Sequence, residues 1–258
     1  NGPNGYGQWG GNCPISEFVD AFEMADGTKF DWTNPVHKAD PFSNRDPRLH
    51  ATVLCDGDKW MTRNVEAYIN ADASGNELTT GGRDSKYGGD AWNTSLTGYY
   101  TRKFMDETYS PNSWNFKNPK NWIWLRLGEQ YLNLAEALYM SGNEVGARNA
   151  LNAIRDRARM PRVTDAGSIL LDRIRNERRV ELCFEEHRYF DVRRWKLGDQ
   201  YLNKTVTGIS ILKKPDGTKI YNPGKIVEQR KFSDKMNWLP ILKSEIDKNS
   251  NLIQNPGY

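Results

Sequence analysis

The chain has 258 residues, which is enough for one large domain or two small domains with an apolar core. Its formal net charge of +3 comes from interspersed acidic and basic residues, and the absence of a basic run argues against a nucleic-acid-binding footprint. No apolar run is long enough to cross a bilayer, and the three cysteines, Cys13, Cys55 and Cys183, lack the paired spacing of a zinc site.

The first 120 residues are predicted to be rich in loops, because glycine and proline interrupt them throughout. A short helix is predicted over residues 15–24 with Ser16 as its N-cap, and a short strand over residues 49–55. Residues 71–97 are rich in Gly, Ser, Thr, Asn and Asp, which predicts one long irregular loop. Loops of that length in a compact domain are usually functional or mobile.

From residue 121 onwards, the pattern becomes helical. The first apolar stripe is formed by Leu127, Tyr131, Leu134 and Leu138, and the second by Ala147, Leu151, Ile154 and Ala158. The residues Ser141-Gly142-Asn143 separate the two stripes, and Pro161 closes the second. This pattern predicts two helices that pack as a hairpin.

The first helix of this pair begins with a pattern known from repeat proteins. Trp124, Leu127, Gly128 and Tyr131 match the opening of the tetratricopeptide repeat, in which the small glycine lets paired helices approach closely. The second half of the repeat pattern matches only at Ala147. We therefore predict a tetratricopeptide-like helix pair whose outer face needs a further packing partner.

The remaining elements include more helices and one hairpin. A third helix is predicted from about Ser168 and a fourth, shorter one over residues 191–202. The turn residues Pro215-Asp216-Gly217 lie between two apolar segments and predict a β-hairpin. The tail is predicted to be extended, with a turn or short helix at residues 244–248.

Residues 174–195 carry acidic and basic side chains at helical spacing. One interpretation is a carboxylate pair for acid–base catalysis, as in glycoside hydrolases, with Glu181 and Glu185 as the acids. The nearby arginines would lower the pKa of such carboxylates, which suits a general acid poorly. We therefore favour a structural ion network that fixes the orientation of the helix.

This segment reads IRNERRVELCFEEHRYFDVRRW and resembles the C-terminal signature of the SusD/RagB family. The positions that carry the resemblance are Ile174, Glu177, Arg178, Glu181, Leu182, Glu185, Arg188, Asp191, Arg194 and Trp195. The blocks DAFEMADG, NRDPRLHATV, TGYYTRKF and QNPGY are also similar to family segments, so the resemblance spans essentially the whole chain. Two positions depart from the family: Glu186, where glycine is usual, and Val192, where leucine is usual.

The resemblance implies a mainly α fold, with tetratricopeptide-like helix pairs, long irregular loops and a small β-hairpin. It also implies that residues 1–258 correspond to the C-terminal portion of a family member. Within them, residues 1–120 would form a loop-rich, ligand-facing part, and residues 121–258 a helical scaffold, a hairpin and an ordered tail. Family members are surface-exposed lipoproteins of the Bacteroidetes outer membrane. They bind oligosaccharides without catalysis and pass them to a SusC-like TonB-dependent transporter. The lipid anchor is expected upstream of this chain.

Sugar rings present apolar C–H faces and hydroxyl rims, so a glycan site needs exposed aromatic rings beside planar polar groups on well-supported loops. Three loop segments of this chain meet that description. In order of preference, they are Tyr6 and Trp9 with Asn4, Gln8 and Asn12; Trp32; and Trp92 with Asn93.

The other tryptophans and the histidines are given no part in ligand binding. Trp60, Trp114 and Trp122 are predicted to belong to the core or scaffold, and Trp124 and Trp195 to pack inside helical motifs. The histidines His37, His50 and His187 are scattered and lack a paired nucleophile. We expect no catalytic residues, no metal and no cofactor.

Three functions remain open on this sequence. The first is a non-catalytic glycan-binding subunit of an outer-membrane uptake complex. The alternative is a tetratricopeptide-like protein-interaction module, suggested by the helix pair. A glycoside hydrolase that uses Glu181 and Glu185 is the least favoured.

Overall fold

The computed structural model of the protein describes residues 1–108 and 120–258. It is helix-rich with some sheet, at 35% helix and 15% strand. The α-helices of the described part are α1 Ser16–Val19, α2 Pro35–Ala39, α3 Arg48–Thr52, α4 Leu127–Met140, α5 Glu144–Arg157, α6 Gly167–Glu181, α7 His187–Arg194, α8 Gly198–Leu202 and α9 Lys243–Lys248. None of them is long and apolar enough to span a membrane.

The described strands form three sheets. They are β1 Val53–Leu54, β2 Lys59–Trp60, β3 Arg63–Asn64, β4 Ile69–Ala71, β5 Glu77–Gly81, β6 Tyr100–Thr101, β7 Thr205–Lys213 and β8 Lys219–Gln229. The largest sheet has the order β5-β4-β7-β8, in which β4 runs parallel to β7 and the other pairs are antiparallel. The two smaller sheets pair β1 with β6 and β2 with β3.

The C-terminal hairpin is confirmed and is larger than predicted. The turn at residues 214–218 joins β7 and β8, which pair from Thr205 with Gln229 to Lys213 with Lys219. The hairpin then extends into the first half of the chain, because β4 adds to β7 with Ile69 opposite Leu212. The sheet thereby connects the loop-rich part to the helical part.

Several local predictions in the first 100 residues were wrong. Residues 48–52 form helix α3, and only Val53 and Leu54 are extended, because Pro47 starts a helical turn at Arg48. The predicted long loop at 71–97 contains β5 and a 3-10 helix at Ala91–Asn93, since pairing with β4 orders its first half. Ser16 opens α1, but its side chain provides no cap.

Most of the helices predicted after residue 121 are confirmed. Helices α4 and α5 form the expected hairpin, α6 begins at Gly167, and α9 occupies the predicted place in the tail. The fourth predicted helix is two helices, α7 and α8, separated where Lys196 adopts a positive φ of 55°.

Only one of the two predicted apolar stripes faces the interior. On α5, Ala147, Leu151 and Ile154 are buried. On α4, Leu127 and Leu134 are exposed, whereas Leu132 and Ala135 are buried against α5 and α6. Helix α4 is therefore apolar on two sides, and periodicity alone identified the outer one. A Cβ added at Gly128 would lie 2.5 Å from Arg126 Nη1 and 3.2 Å from Glu181 Oε1 of α6, so the glycine makes room for this ion pair and not for α5.

Three apolar clusters hold the described elements together. The largest joins α1, α3 and β7 around Phe22, Leu49 and Tyr99. The second lies between α4, α5 and α6, and the third surrounds Trp60 and Tyr100. Trp60 is fully buried, as predicted, and it packs beneath the N-terminal segment that carries the first-choice candidate residues.

Candidate functional site

Two of the predicted platform residues, Trp9 and Trp92, lie together although 83 positions separate them. Their ring centroids are 5.2 Å apart, and the ring planes meet at 77°, so the edge of one ring meets the face of the other. Trp9 is 48% exposed and Trp92 is 68% exposed. The pair therefore presents aromatic surface to solvent from two different segments.

The backbone beneath the pair holds the two segments in contact. Gly10 N donates a hydrogen bond of 2.8 Å to Asn93 O. A Cβ at Gly10 would lie 2.7 Å from Ser95 N and 2.9 Å from its Cα, so no larger residue fits this approach without a backbone shift. Glycine is required at position 10 by this close contact, and the contact sets the spacing of the two tryptophans.

Asn4 is fully buried and anchors the loop that carries Trp92. Its Nδ2 donates to Gly89 O at 2.9 Å, and its Oδ1 accepts a hydrogen bond of 2.5 Å from the Tyr100 hydroxyl. The Tyr100 hydroxyl also lies 2.6 Å from Asp84 O. A buried amide with both of its ends engaged stabilises the loop and has little capacity left for a ligand.

Tyr6 plays a similar supporting part. Its hydroxyl donates to Trp60 O at 2.9 Å and accepts a hydrogen bond from Arg63 N. The Arg63 guanidinium lies 4.4 Å from the centre of the Tyr6 ring and pairs with the buried Asp84 at 2.6 Å. One face of the ring is therefore covered by Arg63, and the hydroxyl is occupied by the protein.

The other predicted polar residues differ in how much they offer a ligand. Asn12 is exposed, and among the described residues its backbone carbonyl accepts a hydrogen bond of 2.9 Å from Thr101 Oγ1 while its side chain is not engaged. Gln8 is half-buried, and its Oε1 is shielded from solvent against Gly2, without a hydrogen-bond partner among the described residues. Asn93 is buried beneath the pair. Of these three amides, only Asn12 has an exposed side chain.

Trp32 lies in another part of the molecule. It is half-buried against the largest apolar cluster, and its ring meets that of Phe30 at 5.0 Å. Its Nε1 donates to Asp20 Oδ2 at 3.0 Å. Burial of Asp20 raises the pKa of that carboxyl to about 6, although the hydrogen bond from Trp32 opposes the rise. The structure does not bring Trp32 to the Trp9–Trp92 pair.

A second group of exposed aromatic rings was not predicted from the sequence. Trp122 is 44% exposed and Trp124 is 79% exposed, so the predictions of scaffold and packing roles for them were wrong. Trp122 lies 5.0 Å from Phe104 and 6.5 Å from Trp124 by ring centroids. Their segment precedes α4 and does not enter the core. The tetratricopeptide-like pattern, which begins at Trp124, does not predict this exposure. Trp114 lies outside the described residues.

Trp195 packs as predicted. It is half-buried, and its Nε1 donates to Glu136 Oε1 at 2.7 Å. The guanidinium carbons of Arg194 and Arg175 lie 4.9 Å and 5.3 Å from the centre of its ring. The residue joins α7 to α4 and α6.

The carboxylates of the charged segment form an ion network between elements. Glu181 accepts hydrogen bonds from Arg126 at 2.6 Å, from Arg157 at 2.5 Å and from Arg48 at 3.0 Å. Glu185 pairs with Arg126 at 2.6 Å and with Lys103 at 2.5 Å. The network is therefore structural, as favoured, but its bonds cross between segments and do not follow the i,i+4 spacing of the helix.

The electrostatics of the network disfavour acid catalysis. Burial by itself would raise the pKa of Glu181, but the hydrogen bonds from Arg126 and the surrounding arginine charges outweigh it, so the pKa is lowered from 4.5. The pKa of Glu185 is lowered in the same way by Arg126 and Lys103, against the effect of burial. Neither carboxyl is tuned to hold a proton near neutral pH.

One group of possible metal ligands lies within residues 50–58 and was missed because the spacing of its members matches no familiar metal-binding motif. The ligand atoms of His50, Cys55 and Asp58 lie within 4.8 Å of one another. His50 Nδ1 lies 2.8 Å from Asp58 Oδ1, and its Nε2 lies 2.9 Å from Phe42 O. Both ring nitrogens therefore face acceptors, and burial raises the pKa of the Cys55 thiol well above 9. This chemistry fits a histidine–aspartate ion pair better than a metal site.

Comparison with known proteins gives one consistent family. The sequence profile of the SusD family matches residues 1–258. A SusD-like protein P2 of Formosa agariphila is 31% identical over 154 residues, which cover 54% of this chain and 26% of that protein.

Two crystal structures of Bacteroides fragilis proteins resemble the fold over most of the chain. A SusD-like protein is 33% identical with a TM-score of 0.77, covering 97% of this chain and 48% of its own. A SusD-like carbohydrate-binding protein is 25% identical with a TM-score of 0.70, covering 93% and 48%. This chain spans about half the length of these solved relatives. Because the family profile matches residues 1–258 of this chain, the chain belongs to the SusD family.

Proposed function

We propose that this protein binds oligosaccharides at the Trp9–Trp92 pair and does so without catalysis. The observation that carries the proposal is the pair itself, two solvent-exposed rings held 5.2 Å apart by a backbone contact that excludes any side chain at position 10. Aromatic faces of this kind suit the C–H faces of sugar rings. A solved relative of similar fold is described as carbohydrate-binding, which supports the same ligand class.

The polar partners proposed for the sugar hydroxyls are Asn12, whose side chain is exposed, and secondarily Gln8, which is half-buried with its Oε1 turned away from solvent. Asn4, Tyr6 and Asn93 are proposed to support the site from below. Trp32 is kept as a separate, weaker ligand candidate because its ring is half-buried and its Nε1 is occupied by Asp20. The loop-rich residues 1–120 would thus form the ligand-facing part.

The proposed physiological setting is nutrient uptake at the outer membrane. The protein would act as a surface-exposed lipoprotein that passes its ligand to a SusC-like TonB-dependent transporter. Family membership supports this setting, and the ion pairing of Glu181 and Glu185 supports a role without hydrolysis. Helices α4 and α5 would serve as a tetratricopeptide-like scaffold.

The test is calorimetric titration of the full-length protein with a panel of neutral oligosaccharides. Trp92→Ala and Trp9→Ala are each expected to weaken binding about tenfold or more, since loss of an aromatic contact of 1.4 kcal/mol or more has that effect. Trp238→Ala is the matched control, because Trp238 is 59% exposed in the C-terminal tail. Wild-type affinity in both pair variants would refute the site, and release of reducing sugar would refute the non-catalytic role.

A protein-interaction module remains the second candidate, because α4 presents an apolar outer face. Leu127 is 70% exposed and Leu134 is 48% exposed, beside Trp124 and Leu125. Contiguous exposed apolar surface of this kind usually marks a contact with protein. Affinity capture from outer membranes would decide between the candidates: recovery of a TonB-dependent transporter supports the first, and recovery of an unrelated peptide partner supports the second.

A further inference from the structure

A cavity of about 200 Å³ between α1, α6, α8 and β7 is lined by an unusual set of charges. Its cationic side chains are Arg179, Arg188, Lys204 and Arg230, and its one acidic side chain is Glu17. Glu17 is already engaged, since its carboxylate accepts hydrogen bonds from the backbone and hydroxyl of Thr207 at 3.0 Å. None of the cavity residues belongs to the Trp9–Trp92 pair.

The cations of this cavity differ from the other arginines of α6. Arg173 and Arg178 each pair with a buried or half-buried carboxylate, and Arg175 has Asp172 at 3.9 Å. In the part of the chain that the structure describes, no ion pair ends on Arg179, and none ends on Arg188 or Lys204. The cavity thus holds four cations against the single carboxylate of Glu17, and of the four only Arg230 forms an ion pair among the described residues, with Glu228 at 3.1 Å.

The protein's own groups leave these cations in an unfavourable electrostatic environment. Burial and the charge of Arg188 together lower the pKa of Arg179 to about 10, against the opposing attraction of Glu17 and Asp20. Burial also lowers the pKa of Arg188 and of Lys204, and Lys204 is repelled by Arg179 as well. Cations that are withdrawn from water and repel one another would gain from an anion placed among them.

The apolar residues in the cavity wall set a second requirement for a ligand. Phe18, Phe184 and Val206 line the same cavity, so its surface is mostly apolar around the charged groups. Arg188 is held in place because its guanidinium lies 4.4 Å from the centre of the Tyr201 ring. A ligand that fits both features has a small apolar body and an oxyanion that guanidinium groups can chelate.

We propose that this cavity binds the oxyanion of a small acidic ligand, a carboxylate or sulfate group, with Arg179, Arg188 and Lys204 as the anion-binding residues. The site is independent of the proposed oligosaccharide site, because the two share no residue. An acidic sugar would supply both the apolar ring and the oxyanion. A free inorganic oxyanion would supply the charge but no apolar ring.

The experiment titrates the full-length protein with sodium glucuronate, sodium sulfate and glucose at constant ionic strength set with sodium chloride. We expect glucuronate or sulfate to bind at one site and to raise the Tm, and glucose to do neither. Tighter binding of glucuronate would identify an acidic sugar as the ligand, and binding of sulfate alone would identify the oxyanion itself. Absence of binding by both anions would overturn the proposal.

Arg179→Met locates the site and controls for folding. It is expected to weaken anion binding about tenfold or more, the loss of a charge-assisted hydrogen bond. Without anion it is expected to raise the Tm, because it removes a half-buried cation that forms no ion pair among the described residues and is repelled by Arg188. Lys204→Met provides a second variant with the same expected loss. Arg162→Met, at an exposed arginine that pairs with Asp156, is the matched control.

Equal anion affinity in wild type, Arg179→Met and Lys204→Met would overturn the assignment to this cavity. Trp92→Ala separates this proposal from the oligosaccharide site. That variant should lose neutral oligosaccharide while keeping wild-type affinity for the anion.

Discussion

Arg48 Nη1 lies 2.5 Å from Glu177 Oε1, although 129 residues separate them in sequence. The other oxygen of Glu177 accepts a hydrogen bond of 2.9 Å from the buried Arg155. One buried carboxylate thus bridges two guanidinium groups, one from α3 and one from α5, and each of these has a further carboxylate partner. Through it, the loop-rich part of the chain is joined to the helical scaffold.

Glu177→Gln is expected to lower the free energy of unfolding by about 1.5–3 kcal/mol, because it weakens two charge-assisted hydrogen bonds while Arg48 keeps Asp46 and Glu181 and Arg155 keeps Glu23. Urea denaturation would measure this. Glu245→Gln is the matched control, since Glu245 is half exposed and pairs only with Lys248 at 2.8 Å; its effect should be below about 0.5 kcal/mol. Similar losses in the two variants would contradict the role of Glu177.

What could be predicted from sequence follows from how local each feature is. Helix α5 was recognisable because its buried stripe repeats at helical spacing within 14 residues. The partners of Glu177 were not, because an acidic residue on a helix gives no sign of which distant arginine will meet it. The parallel pairing of β4 with β7 was missed for the same reason: it joins segments more than 130 residues apart, and no turn connects them.

In the candidate site, too, local features were predictable from sequence and long-range contacts were not. Trp9 and Trp92 were both singled out, because exposed rings in Gly- and Asn-rich loops are recognisable in sequence. Their contact was not predicted, since it depends on the close approach of Gly10 to Ser95. Asn4 was expected to touch ligand and is fully buried, because a side-chain amide suits loop anchoring and sugar binding equally well.

Glu186 is held in a conformation that favours glycine. Its φ of 65° and ψ of 0° place it in the left-handed region, directly before α7. The cost to a residue with a Cβ is about 1 kcal/mol, partly offset in a glycine variant by the greater freedom of its unfolded chain. Glu186→Gly is therefore expected to raise the free energy of unfolding by about 0.5 kcal/mol.

Chemical denaturation would measure this gain, and Glu186→Ala separates its two possible sources. The alanine variant removes the carboxylate but keeps the Cβ, so it should show no comparable gain. If alanine stabilises the protein as much as glycine does, the charge of Glu186 and not its backbone conformation is responsible.

His50 makes stability dependent on pH. Its hydrogen bond to Asp58 raises the pKa of the imidazole above 6.5, against the opposing effect of burial. A group whose pKa is raised on folding stabilises the protein fully below its unfolded pKa. That contribution is lost as the pH rises through the folded pKa. We expect the wild-type advantage over His50→Gln to be present at about pH 5 and to have faded by about pH 9.

Urea midpoints across this range would measure the advantage, and NMR titration of the His50 ring would give its pKa directly. Asp58→Asn is the complementary variant, because it keeps a polar side chain but removes the charge. An imidazole that titrates at or below 6.5 in the wild type, or at the same pH in Asp58→Asn, would contradict the assignment.

The contact at Gly10 should control ligand binding through the backbone alone. In Gly10→Ala the new methyl group would meet Ser95 N and Cα at 2.7 and 2.9 Å, which forces the Trp9 segment away from the loop that carries Trp92. Gly11→Ala is a closely matched control, since a Cβ at Gly11 meets no atom within 4 Å. Each variant adds one methyl group, at adjacent positions.

We expect Gly10→Ala to weaken oligosaccharide binding about tenfold and Gly11→Ala to leave it unchanged, as measured by calorimetric titration. Both variants keep the tryptophans, so a loss confined to position 10 arises from the spacing of the rings and not from their removal. Tryptophan fluorescence should report the same separation of Trp9 from Trp92 without ligand. If Gly10→Ala changes the fluorescence but keeps wild-type affinity, the two rings do not act as one platform, and Trp92 would then be the ring that binds sugar by itself.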